Sequence, residues 1–207
     1  MSGKITEVKR FTLQVPFVDR IREEMERAGI HTWSELEITR VTTDAGIIGW
    51  GETIQNYTWG RVSDHQRIVG RSPFETMWDD SLGAGLQMAL FDAAGKLADV
   101  PVYRLLGTKC RDWCAISFWD HDMSPEKYEI EARTAVELGY TCMKIKTRPW
   151  FDVYETIRRI SEATPEHFRI DADWNAFLNN ASNAIPILRE LERPPLGQTY
   201  CFRCFAI

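Results

Sequence analysis

Between Trp113 and Leu191 the sequence repeats one phrase three times: a short apolar run, a turn, and an amphipathic stretch with its own start signal. Cys114 to Phe118 is followed by Ser124-Pro125, an N-cap with proline at the first helical position, and then by Tyr128, Ala132, Ala135 and Val136 as far as Gly139. Thr141 to Lys146 is followed by a helical stretch from Asp152 to about Glu162, with Val153, Ile157 and Ile160 on one side. Phe168 to Asp173 is followed by a third helix over roughly 182–191, with Pro186 in its first turn. Strands alternating with helices imply parallel crossovers, as in a barrel or a doubly wound sheet.

The middle strand carries the most informative residues. Side chains alternate along a strand, so Cys142, Lys144 and Lys146 share one face, while Thr141, Met143 and Ile145 share the other. Parallel sheets are covered on both faces, and two lysines on one covered face are costly unless an anion meets them. A substrate is one candidate for that anion. In the third strand Asp171 and Asp173 share a face with Arg169, which places Lys146 and Asp171 as neighbours across adjacent strands. A buried structural ion pair and a divalent-metal ligand beside a general base are both consistent with that spacing. Trp119, Trp150 and Trp174 each follow a strand, where they would line a ligand-binding mouth or pack in the core.

The first half has a different pattern. Residues 5–15 form a strand stopped by Pro16, and Leu36–Thr43 and Ile47–Thr53 flank Asp44-Ala45-Gly46 as a hairpin. The charged segment Val18–Ser34, with Arg20, Arg22, Arg27 and His31, suggests a solvated loop or short helix. From Gly85 to Ala98 small apolar residues recur at helical spacing, which predicts a helix packed closely against a neighbour. Pro101 ends it, and Val102–Gly107 makes a further short turn. Strands followed by helices make this half an α+β domain.

The net charge of -5, with no basic run, removes the electrostatic basis for binding nucleic acid or an anionic membrane. No signal-peptide core and no membrane-length apolar window is present, so a cytoplasmic location is expected. The five cysteines suit reduced thiols, and Cys201-Phe-Arg-Cys204 lacks the two further ligands zinc would need nearby.

Lys144-Ile145-Lys146, followed about one strand–helix unit later by Asp171, resembles the enolase superfamily in its mandelate racemase and muconate lactonizing branch. Ala89-Leu90-Phe91-Asp92, Gly95-Lys96 and Pro101–Gly107 resemble the segment leaving that family's capping domain, and Gly49-Trp50-Gly51-Glu52 resembles its hairpin exit. The resemblance implies an α+β capping domain over 1–112, the first three units of a (β/α) TIM-type barrel over 113–191, and a tail over 192–207 that matches no part of the family. It implies removal of the proton α to a carboxylate, through an enediolate held on Mg²⁺, by a racemase, cycloisomerase or acid-sugar dehydratase. Lys146 is then the general base, Lys144 contacts the substrate carboxylate and lowers the pKa of Lys146, and Asp171 is the first metal carboxylate. Residues 17–34 and 55–60 correspond to substrate-selecting loops, with Arg20, Tyr57 and Trp59 as candidate contacts.

Two departures shape the expectations. Asp173 stands where the family often has Asn. A complete barrel takes about 250 residues, and Trp113–Ile207 falls well short of that. The sequence therefore predicts a truncated or frame-shifted chain, inactive as it stands, of an enzyme that is a homo-oligomer at full length. The alternative is a non-catalytic module that keeps the capping fold for binding or assembly.

Overall fold

The computed structural model describes residues 2–55 and 64–193, and it divides into two units. The first comprises residues 1–18 and 29–112, and the second residues 19–28 and 113–207. The segment at 19–28 therefore groups with the second unit, although 1–112 is the boundary the sequence suggests.

In the first unit, β1 (Ile5–Gln14), β2 (Glu35–Thr43) and β3 (Ile48–Ile54) form an antiparallel sheet in chain order. The expected hairpin joins β2 to β3, with Thr42 opposite Ile48 and Gly46 at φ +77°, a left-handed backbone that glycine adopts freely. Two short helices, α2 (Pro73–Thr76) and α4 (Tyr103–Leu106), flank the long α3 (Ala84–Leu97). The close packing predicted for α3 is found, and its neighbour is β3. A Cβ on Gly49 would lie 2.1 Å from the Ala89 carbonyl oxygen, and one on Gly51 would lie 2.0 Å from that of Gly85. The glycines of β3 and the small residues of α3 together permit this contact. Ile5, Val8, Val41, Leu86, Ala89 and Leu90 belong to the core that results.

The second unit contains α1 (Asp19–Arg27), a helix where the sequence left loop or helix open. Its sheet is parallel, with β5 (Cys142–Lys146) between β4 (Phe118–Trp119) and β6 (Arg169–Asp173). Connecting them are α5 (Pro125–Glu137) and α6 (Val153–Ala163), and α7 (Ala181–Leu191) follows β6. Met143, Ile145, Ile170 and Ala172 are buried on one side of the sheet, as the alternation predicts. The caps also follow the sequence. Ser124 accepts from the Lys127 N–H, and Asp152 accepts from the Glu155 N–H at 2.9 Å.

Two expectations are corrected. The first strand of the repeat is not Cys114–Phe118: only Phe118 and Trp119 pair with β5, and Trp113, Cys114 and Ile116 are exposed. Pro186 lies inside α7 rather than in its first turn, because Asn180 caps the helix through the Asn183 N–H and starts it earlier. Tyr57, Trp59 and the tail from residue 194 lie outside the described residues.

Candidate active site

The parallel register brings the charged residues of the second unit together. Lys144 stands opposite Asp171, and Lys146 opposite Asp173. This corrects the expected pairing of Lys146 with Asp171, since parallel strands set the register by their own hydrogen bonds and β6 is displaced by two residues from that reading. Both lysines close on the same atom. Lys144 Nζ lies 2.8 Å and Lys146 Nζ 2.7 Å from Asp173 Oδ2.

Asp173 is thereby the centre of the cluster. Burial pushes its carboxyl up. Hydrogen bonds from Lys144, Lys146 and the Asn175 N–H outweigh that and hold it well below the usual carboxylate range. Asn175, just past β6, also offers its side-chain Oδ1 to Lys146 Nζ at 2.7 Å and to Arg148 Nη1 at 3.0 Å. Arg148 in turn grips Asp122, with Nε 3.1 Å from Oδ1 and Nη2 3.2 Å from Oδ2. Lys146, Arg148 and Asp173 are all buried.

The backbone of the site is fixed by a buried phenol. Tyr128 of α5 donates to the His121 carbonyl at 2.7 Å, and its oxygen accepts from the Lys146 N–H at 3.2 Å. Burial raises the Tyr128 hydroxyl pKa well above its ordinary value, so the group stays a neutral donor. Beside it, burial pushes the His121 imidazole down, against an opposing pull from Asp122.

Arg20, expected to contact substrate, has other partners in the structure. Its guanidinium lies 3.0 Å from Asp120 Oδ1, pairs with Glu131, and sits 4.4 Å from the Phe118 ring centroid. Asp120 is fully buried, and desolvation raises its pKa to about 6 despite Arg20. Of the three tryptophans, Trp174 is buried, whereas Trp150 is exposed and packs edge-to-face on Phe177 at 5.0 Å between centroids. Trp174 is thus a core residue, Trp150 lies at the surface, and Trp119 is the half-buried last residue of β4 itself.

Sequence reasoning missed Asp122, Arg148 and Asn175. The signal was available, because each lies within three residues of a strand's C-terminal end, where parallel folds gather ligand-binding groups.

A hard cation such as Mg²⁺ takes several oxygen ligands. Asp171 and Asp173 share one face of β6, but Asp173 Oδ2 is shared between two ammonium groups. Among the described residues no three His, Cys, Asp or Glu side chains are placed to hold a metal ion. These residues do not by themselves fit the ion.

No family model matches the chain. It is 26% identical over 179 residues to the N-succinyl-L-Arg/Lys racemase of Bacillus cereus, covering 74% of this chain and 48% of the racemase. It is 31% identical over 135 residues to the D-xylonate dehydratase of Haloferax volcanii, covering 52% of this chain and 32% of the dehydratase. In structure it resembles the dipeptide epimerase from Methylococcus capsulatus complexed with Mg ion, with a TM-score of 0.70 and 20% identity, over 91% of this chain and 57% of the epimerase. The chain thus spans about half the length, or less, of these curated relatives.

Proposed function

From the kinship of this chain with the enolase superfamily, in its mandelate racemase and muconate lactonizing branch, we propose that it carries the proton-abstracting side of an enzyme acting α to a carboxylate. On this reading the parallel sheet is the first part of a (β/α) barrel and the antiparallel unit a capping domain. The observation that supports it most is the convergence of Lys144 and Lys146 on one carboxylate oxygen, at 2.8 and 2.7 Å. Two ammonium groups fixed by strand register around a single carboxylate are pre-organised to hold another.

The chemistry then divides between the lysines. Lys144 donates to the substrate carboxylate and lowers the energy of the charge that builds there. Lys146, as the neutral amine left once its ammonium has released a proton to solvent, takes the α-proton onto Nζ while the C–H electron pair moves into the carboxylate, giving an enediolate. Return of a proton to the opposite face inverts the centre, and loss of a β-hydroxyl gives dehydration. The relatives include a racemase and a dehydratase, so both outcomes belong to the proposed range. Mg²⁺ is the cofactor the kinship implies; Asp171 would be one carboxylate toward it, and the described residues do not supply the rest of a ligand set. Tyr57 and Trp59 keep the proposed substrate-selecting role.

Deuterium exchange tests this reading. The protein, in D₂O with Mg²⁺, is given an N-succinyl amino acid, a dipeptide and an acid sugar, and the α-proton signal of each is followed by NMR. The sequence leads one to expect no complete turnover from this chain, but exchange asks only for the half-reaction assigned to Lys146: at least one signal should fade, and Lys146→Ala should abolish the loss. No fading with any of the three, from a cooperatively folded sample, contradicts the proposal.

A further inference from the structure

Lys146 is held by more than its aspartate. Its Nζ has two acceptors, Asp173 Oδ2 and Asn175 Oδ1, each at 2.7 Å. The second acceptor is an amide, and an amide can present either its oxygen or its NH₂ group. What fixes the choice is Arg148. Its Nη1 donates to the same Oδ1 at 3.0 Å, and Lys and Arg have donors only. With donor-only cations on both sides, only the oxygen can face them. Arg148 is in turn anchored through Nε and Nη2 to Asp122, at 3.3 and 3.2 Å from Oδ2.

The backbone supports the same arrangement. Asn175 has φ +47°, and Ala176 and Asn179 follow at +60° and +61°, all in the left-handed region that non-glycine residues seldom enter. Such local strain persists where surrounding contacts over-determine it. Here the Asn175 N–H is bonded to Asp173 Oδ1 at 2.9 Å, while its side chain bridges Lys146 and Arg148. Asp122, Arg148 and Asn175 come from the three segments that follow β4, β5 and β6, so each strand end contributes one member.

We infer that Asp122, Arg148 and Asn175 form a positioning relay that orients the Lys146 amine, with Arg148 acting only through the Asn175 amide. None of the three needs to touch substrate. The inference rests on the proposed role of Lys146 for its purpose, but not for its test, which requires no turnover.

The readout is the Nζ resonance of Lys146 in ¹H–¹⁵N spectra of the lysine ammonium groups, assigned by its disappearance in Lys146→Arg. A buried, doubly bonded ammonium exchanges its protons slowly enough to be seen. Asn175→Gly removes the acceptor and suits the left-handed backbone. Arg148→Met paired with Asp122→Asn removes the clamp without leaving a carboxylate unpaired. Each should shift the Lys146 signal or broaden it beyond detection while the backbone spectrum stays folded. Asn175→Asp, which keeps an acceptor between the two cations, should retain it. A Lys146 signal unmoved by Asn175→Gly overturns the relay, and one moved by Asn175→Gly but unmoved by the Arg148 pair overturns the role of Arg148. Should Asn175→Gly lose its fold, loss of the Lys146 signal in a folded Asn175→Asp overturns the inference in its place. Absence of α-proton exchange in the wild type bears on the proposed reaction and leaves the relay standing.

Discussion

Both sheets carry ion pairs, and the antiparallel sheet includes one between Arg10 and the buried Glu37, but only the parallel sheet draws its charges to a single point. On the antiparallel sheet Glu7 meets Lys9 at 2.8 Å and Arg40 at 2.7 Å, and all three side chains remain partly in water. On the parallel sheet Lys144, Lys146 and Asp173 converge at one end, joined by Arg148 and Asn175, and most of the group is buried. Half-exposed pairs contribute little and are replaceable. Buried pairs recover their desolvation only with good geometry, and an apolar substitute often serves stability as well. A cluster that converges on one carboxylate at the C-terminal edge of a parallel sheet is the arrangement on which the proposed chemistry rests.

The difference can be broken from either side. The largest effect is expected from Asp173→Ala, which leaves two ammonium groups without their shared carboxylate. Removing one partner of a buried pair costs about 3–5 kcal/mol, to be read from urea denaturation. Gly51→Ala should follow, at about 1–3 kcal/mol, because its Cβ would meet the Gly85 carbonyl oxygen and the Ala89 nitrogen, backbone atoms that cannot yield. The first change strikes the charged cluster and the second strikes close packing, so the two should add.

A third expectation concerns pH. The folded Asp120 titrates at about 6, above its ordinary value of 3.8, so between these limits the folded state binds more protons than the unfolded one. Its contribution to stability therefore falls as pH rises from about 4 to 6. Asp173 has the opposite sign: its lowered pKa stabilises the fold above about 4, and that contribution is lost as pH falls further. Melting temperatures of Asp120→Asn relative to wild type should thus climb between pH 4 and 7, while those of Asp173→Asn should decline as the pH rises through 4. The smallest effect belongs to Glu7→Gln on the antiparallel sheet, where a change within the scatter of replicate melts is expected.

These sheets were not equally legible in the sequence. Alternation and the turn at Gly46 suffice for the antiparallel hairpin, and the small residues of α3 announce the tight contact with β3. The charged faces of β5 and β6 also follow from alternation alone. What alternation cannot supply is the offset between strands, and the two-residue difference that puts Lys146 on Asp173 rather than Asp171 lies there. Nor does local sequence reveal that Arg20 reaches Asp120, 100 residues away, or that Arg148 and Asn175 meet across two strand ends. Such contacts depend on tertiary geometry, and only the rule that ligand groups gather at C-terminal strand ends pointed toward them.

The central claim is that Lys144 and Lys146 form one substrate site, in which Lys144 holds the carboxylate and Lys146 faces the adjoining α-carbon. It is tested most directly by titrating the protein with the carboxylates used for the exchange assay while following the ammonium resonances of all lysines. The account predicts that the Lys144 and Lys146 signals shift together and saturate at one common midpoint, while the exposed Lys9 and Lys109 stay in place. Lys144 and Lys146 unmoved at saturating carboxylate, or moving with separate midpoints, would contradict it.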